Sequence, residues 1–91
     1  MVSVKEAVAK AIEFAQSILE PDRIAELRLE EVEMAKANGE DVWSITLSMP
    51  GLPSPLYPLL GNRPREYKTF AVNSQTGQVL SMKIRELANT E

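Results

Sequence analysis

Ninety-one residues, 44% hydrophobic and 25% charged, suit one small domain spanning 1–91, and a second is not expected at this length. The chain has no cysteine and no histidine, so disulfides, thiolate metal sites and thiol nucleophiles are excluded and the commonest neutral-pH general base is missing. Net charge is −3 but unevenly spread: residues 1–41 set ten acids against five bases, and residues 42–91 set three acids against five bases. A nucleic-acid binder carries a basic excess, so no nucleic acid is expected as a partner. No apolar run approaches the ~18 residues of a membrane span. No basic segment leads into an apolar one at the start, so no export signal is expected and a cytoplasmic location is.

Residues 3–20 are predicted to be a helix. Ser3 and Glu6 have capping-box spacing, each side chain satisfying an orphan amide of the first turn. Val4, Ala7, Val8, Ala11, Ile12, Ala15, Ile18 and Leu19 recur on one apolar face, while Lys5, Glu6, Lys10, Glu13 and Gln16 take the other. Phe14 lies at the edge of the stripe, and Pro21 stops the helix at Glu20 or just before it.

Residues 24–37 allow two readings. Ala, Leu, Glu, Met and Lys all favour a second helix. Against it, Leu27 and Leu29 alternate with charged residues, and Val32 and Met34 alternate in the opposite phase. One extra residue near Glu30–Glu31 would bring both pairs to one face, as a β-bulge does. Ala37-Asn38-Gly39-Glu40 is a hairpin turn leading into an evident strand, and that continuation decides for strand.

Over 42–49, Trp43, Ile45, Leu47 and Met49 point one way, and Val42, Ser44, Thr46 and Ser48 the other. Residues 50–66 carry five of the six prolines and form a loop. A strand at 67–73 places Phe70 and Val72 on the inner face. After the turn Asn73–Gly77, a strand at 78–85 turns Leu80, Met82 and Ile84 inward and Ser81, Lys83 and Arg85 outward. Leu87 to Glu91 are expected to fray. The sum is an α+β fold, one N-terminal helix packed on a four-stranded antiparallel meander.

The helix, the segment Leu27-Arg28-Leu29-Glu30-Glu31-Val32-Glu33, the strand from Asp41 to Leu47, and the closing run from Tyr67 to Leu80 together resemble a PepSY-type domain over residues 4–85. The most specific part is the hairpin Asn73-Ser74-Gln75-Thr76-Gly77-Gln78-Val79-Leu80. The likeness is to small stand-alone bacterial proteins of this type, and the stretch 50–66 is additional to the pattern. The resemblance implies a helix on an antiparallel sheet and a non-catalytic role, in some relatives inhibition of a peptidase or sensing in the envelope.

Loop 50–66 is the candidate partner-binding site. Leu52, Leu56, Tyr57, Leu59 and Leu60 serve as apolar anchors, with Arg63 and Arg65 as a charged rim, unless the leucines fold back to cap the sheet. The outward face with Ser44, Thr46, Ser48, Thr69, Ser81, Lys83 and Arg85 is either a solvated surface, a polar ligand platform or the interface of a homodimer. Glu26, Glu30, Glu31, Glu33, Glu40 and Asp41 are expected to split between two faces, forming a solvated acidic edge and no metal site. Trp43 reads as core. No Gly-rich phosphate loop or nucleophile motif occurs, so no catalytic residue and no cofactor is assigned. The expectation is a non-enzymatic module that binds another protein. Self-association is the alternative, and carboxylate-based catalysis is the weakest reading.

Overall fold

The computed structural model describes residues 1–50 and 65–85, and the expectations for Leu52 through Arg63 and for Leu87 to Glu91 lie outside them. Within the described residues, helix α1 (Val4–Ile18) and a single turn α2 (Pro21–Ile24) precede four strands. These are β1 (Arg28–Ala37), β2 (Glu40–Pro50), β3 (Arg65–Asn73) and β4 (Val79–Ile84). They form one antiparallel sheet in the order β1-β2-β3-β4, the meander that the alternation implied.

Local chemistry starts and stops each element. Ser3 Oγ accepts from the Glu6 amide (3.1 Å) and Glu6 Oε1 accepts from the Ser3 amide (3.0 Å), so the capping box is complete. The helix ends at Leu19, and Pro21 then occupies the first position of α2, where its missing N–H costs no hydrogen bond. Sequence periodicity ran these residues into one helix and a stop, because a four-residue turn is too short to show a period.

The β1–β2 turn has two consecutive residues at positive φ, Asn38 (53°) and Gly39 (81°), the twist that matches a two-residue hairpin. Asn73 Oδ1 accepts from the amides of Gln75 (2.8 Å) and Thr76 (3.0 Å), closing the β3–β4 turn, and Gly77 supplies its positive φ of 78°.

Two bulges set the phase of the edge strands. Leu29 pairs with Leu47 and Glu31 with Thr46, which leaves Glu30 as the extra residue. Leu29, Val32 and Met34 therefore stand opposite Leu47, Ile45 and Trp43 on one face, as the phase change in the sequence required. The second bulge corrects the reading of β4. Val72 pairs with Val79 and Ala71 with Ser81, so Leu80 becomes the unpaired residue and stays 43% exposed, and Val79 takes the inward place. Ile84 keeps inward parity but remains exposed at the strand end.

The core is thin. Ala7, Ala11 and Ala15 of α1 meet Ile45, Leu47, Met49, Phe70 and Val72 of the two central strands, all fully buried. Methyl side chains let the helix lie close to the sheet, and each large residue beneath contributes roughly 1.5–3 kcal/mol by leaving water. Phe14 packs edge-on against Phe70, ring centroids 6.3 Å apart at 81°. Trp43 is half-buried rather than sealed, and its Nε1 donates to the Val2 carbonyl (3.2 Å). The Val2 amide donates to the Ser74 carbonyl (2.7 Å), so the start of the helix is tied to both β2 and the β3–β4 turn.

Candidate functional site

Two surfaces hold more structure than a solvated exterior requires. One is the outer face of the sheet, away from α1. The other is the margin where α1 overhangs β1.

On the outer face, Thr46 and Ser48 are buried although neither α1 nor α2 covers them, with exposures of 2% and 0%. Long charged side chains and neighbouring hydroxyls close over them. Thr46 and Thr69 hydroxyls share a hydrogen bond of 3.1 Å across β2 and β3. The Arg85 backbone amide donates to the Tyr67 carbonyl beside β3. Its guanidinium then crosses β3 to Thr46 Oγ1 (3.2 Å) and reaches the Glu31 carboxylate on β1. Farther along the strands, Ser48 Oγ donates to Glu30 Oε2 (2.6 Å) and accepts from Arg65 Nε (3.0 Å). Arg65 also donates from Nη2 to the Glu26 carbonyl (2.7 Å).

This network revises one expectation. Glu30, Glu31 and Glu33 do not split between two faces: the bulge places Glu30 beside Glu31, and the register sets Glu31 opposite Thr46 and Glu33 opposite Ser44, all on the outer side. Their engagement is with a hydroxyl and a guanidinium. Among the described residues, no three acidic side chains converge in a way that could hold a metal ion. Arg65, read from sequence as part of a docking rim, is the tether that fastens β3 to Ser48 and to the segment before β1. A homodimer across this face would meet the Arg85–Glu31 pair rather than Thr46, which is buried and bonded to Arg85.

The second surface follows from widths. Four strands about 4.8 Å apart are wider than one helix of about 10 Å can cover. Helix α1 packs on β2, β3 and β4 with the alanine column facing down. Its Phe14 flank faces β4, sharing a shallow hollow with Gln78 and Val79. Its other flank, with Val4, Val8 and Ile12, faces β1 across an open groove of about 370 Å³ lined almost wholly by carbon. Leu29 forms the opposite wall and is 51% exposed; Met34, farther along the same face of β1, is 44% exposed. In the sequence Val4, Val8 and Ile12 share one apolar stripe with Ala7, Ala11 and Ala15, and periodicity does not separate the two columns. The signal that could have found the groove is its double width: a column of small residues beside a column of larger ones, over a sheet too broad for one helix.

Lys68 was also missed. It lies on the inner face opposite Leu47 and Ile84, only 8% exposed, with its ammonium 3.7 Å from Glu66. Among the described residues no helix is long and apolar enough to cross a membrane. Comparison with known families, with curated proteins and with solved structures finds no match for this chain.

Proposed function

We propose that this chain is a non-catalytic protein-binding module and that its partner is held in the groove between α1 and β1. One observation carries the reading: an apolar groove bounded by Val4, Val8, Ile12 and Leu29 stays open in a domain whose core is otherwise thin. A small domain gains most by burying such side chains, and grooves lined by carbon are where partners dock. The order of helix and meander, with its Asn73–Gly77 turn, is compatible with the PepSY-type resemblance, and inhibition of a peptidase is one form such binding takes. Of the stretch 50–66 read from the sequence as the contact loop, Pro50 belongs to β2 and Arg65 and Glu66 to β3, where Pro50 pairs with Arg65; the remainder enters the proposal as a second surface to be tested beside the groove.

The experiment is capture of a partner from lysate of the source cell by three purified proteins. They are wild type, a groove variant carrying Leu29→Ser and Met34→Ser, and a loop variant carrying Leu56→Ser, Tyr57→Ser and Leu59→Ser. Circular dichroism establishes that each is folded. The groove residues are about half exposed, so the fold should tolerate their change. Loss of the captured protein in the groove variant alone supports the groove, and loss in the loop variant alone moves the site to 50–66. Equal capture by three folded proteins refutes both surfaces.

A further inference from the structure

Strand β1 is an edge: it pairs with β2 and with no other strand among the described residues. Alternate residues therefore turn their amide and carbonyl groups outward, toward any chain that comes alongside. Beyond the Glu30 bulge, Glu31 to Ala37 runs in unbroken register with β2, so the free edge there is a regular template. Its two sides differ in chemistry. The inner side presents Val32, Met34 and, at the turn end, Lys36; Leu29, before the bulge, lines the groove with Val4, Val8 and Ile12 of α1. The outer side presents Glu31 and Glu33, and Glu33 has no ion-pair partner among the described residues.

We propose that β1 accepts, as a fifth strand, an extended peptide segment in which apolar and basic residues alternate. This rests on the protein-binding reading and names the chemistry of the partner. A strand's side chains alternate between faces, so a segment paired with β1 lays every second side chain along the apolar row of Met34, Val32 and, at the groove, Leu29, and the others over the acidic outer side. The groove selects aliphatic residues. Cross-strand pairing opposite Glu33 selects lysine or arginine, since opposite charges facing each other are favourable and like charges unfavourable, while Glu31 is already held by Arg85. A docked helix would cover Leu29 and Met34 but leave the backbone edge of β1 without hydrogen bonds.

A second copy of β1 fits poorly for the same reason. The two-fold register that stacks Val32 on its mate sets Glu31 against Glu33, the register that stacks Val32 on Met34 sets Glu33 against itself, and the register that stacks Met34 on its mate sets Lys36 against Val32 on the apolar side. Strand β4 of another copy does carry the required alternation in Met82-Lys83-Ile84-Arg85. However, Arg85 is already bonded to Glu31 of its own chain, and a β1-to-β4 contact is head-to-tail, giving assemblies that grow with concentration.

The test uses the whole chain, labelled with ¹⁵N and titrated with a short peptide of alternating lysine and valine, followed by amide shifts and hydrogen exchange. The expected result is slowed exchange of β1 amides between Glu31 and Ala37, with shifts in Val8 and Ile12. The matching glutamate–valine peptide should not bind. Glu33→Lys should weaken binding by about tenfold and Glu33→Gln by less, without loss of the folded spectrum. Equal binding of the two peptides, shifts that avoid β1, or no binding at millimolar peptide would overturn the proposal. So would concentration-dependent growth in sedimentation velocity of the free protein with β1 amides protected, because a second copy would then be the occupant. If the peptide fails while the Leu29→Ser, Met34→Ser variant still loses its cellular partner, the segment chemistry is wrong and the protein-binding reading stands. If neither shows an effect, both fall.

Discussion

Deleting one glutamate from the Glu30–Glu31 pair should be tolerated, whereas deleting Glu33 should not. The first deletion removes the bulge and leaves a strand in which Leu29 still meets Leu47 and Val32 still meets Ile45. The direct loss is one hydrogen bond to a carboxylate, from Ser48, whose hydroxyl keeps Arg65 as a partner. At a partly exposed site that is worth about 1 kcal/mol. Deleting Glu33 lets the chain shed the bulge and keep Leu29 opposite Leu47, but Val32 then stands opposite Ser44, and Glu31 opposite Ile45. A one-residue slip sends each side chain to the wrong face. Val32 gives up about 1 kcal/mol of partial burial, Glu31 loses Arg85, and a carboxylate is set against a buried isoleucine, together about 3 kcal/mol. Urea denaturation followed by Trp43 fluorescence measures both variants against wild type. Equal destabilisation by the two deletions would refute the assignment of the bulge to Glu30 and the register built on it.

Two further outcomes follow from the packing. Ser74 is fully buried and its hydroxyl has no hydrogen-bond partner, so Ser74→Ala should leave stability unchanged or raise it by up to about 1 kcal/mol in the same denaturation assay. Ala11 lies in the middle of the alanine column with no exposed surface, so Ala11→Leu should lower stability by about 1–3 kcal/mol by lifting α1 from the sheet, read as a fall in the thermal midpoint.

Helix α1, the four strands and most of their phases were legible in local sequence signals; the short turn α2 was not. Ser3 and Glu6 define the helix start, Asn38-Gly39 and Asn73–Gly77 define two turns, and the slipped alternation across Glu30 announces a bulge. Each is a local signal carried by residues a few positions apart. The second bulge, at Leu80, was hidden because Val79 and Leu80 are both apolar and either can face inward. Assembly settled which apolar column of α1 is buried and which strand, among the described residues, lies beyond the helix. The periodicity of Val4, Val8 and Ile12 resembles that of Ala7, Ala11 and Ala15; the alanines win the sheet because they allow the closest approach. Nor could the sequence show that Thr46 lies under Arg85, or that Arg85 continues to Glu31, contacts 39 and 54 residues apart in the chain. Hydrophobic period fixes which face of an element seeks cover. Whether cover is available depends on the width of one helix against four strands and on how far a long side chain reaches, and both are settled only when the elements assemble.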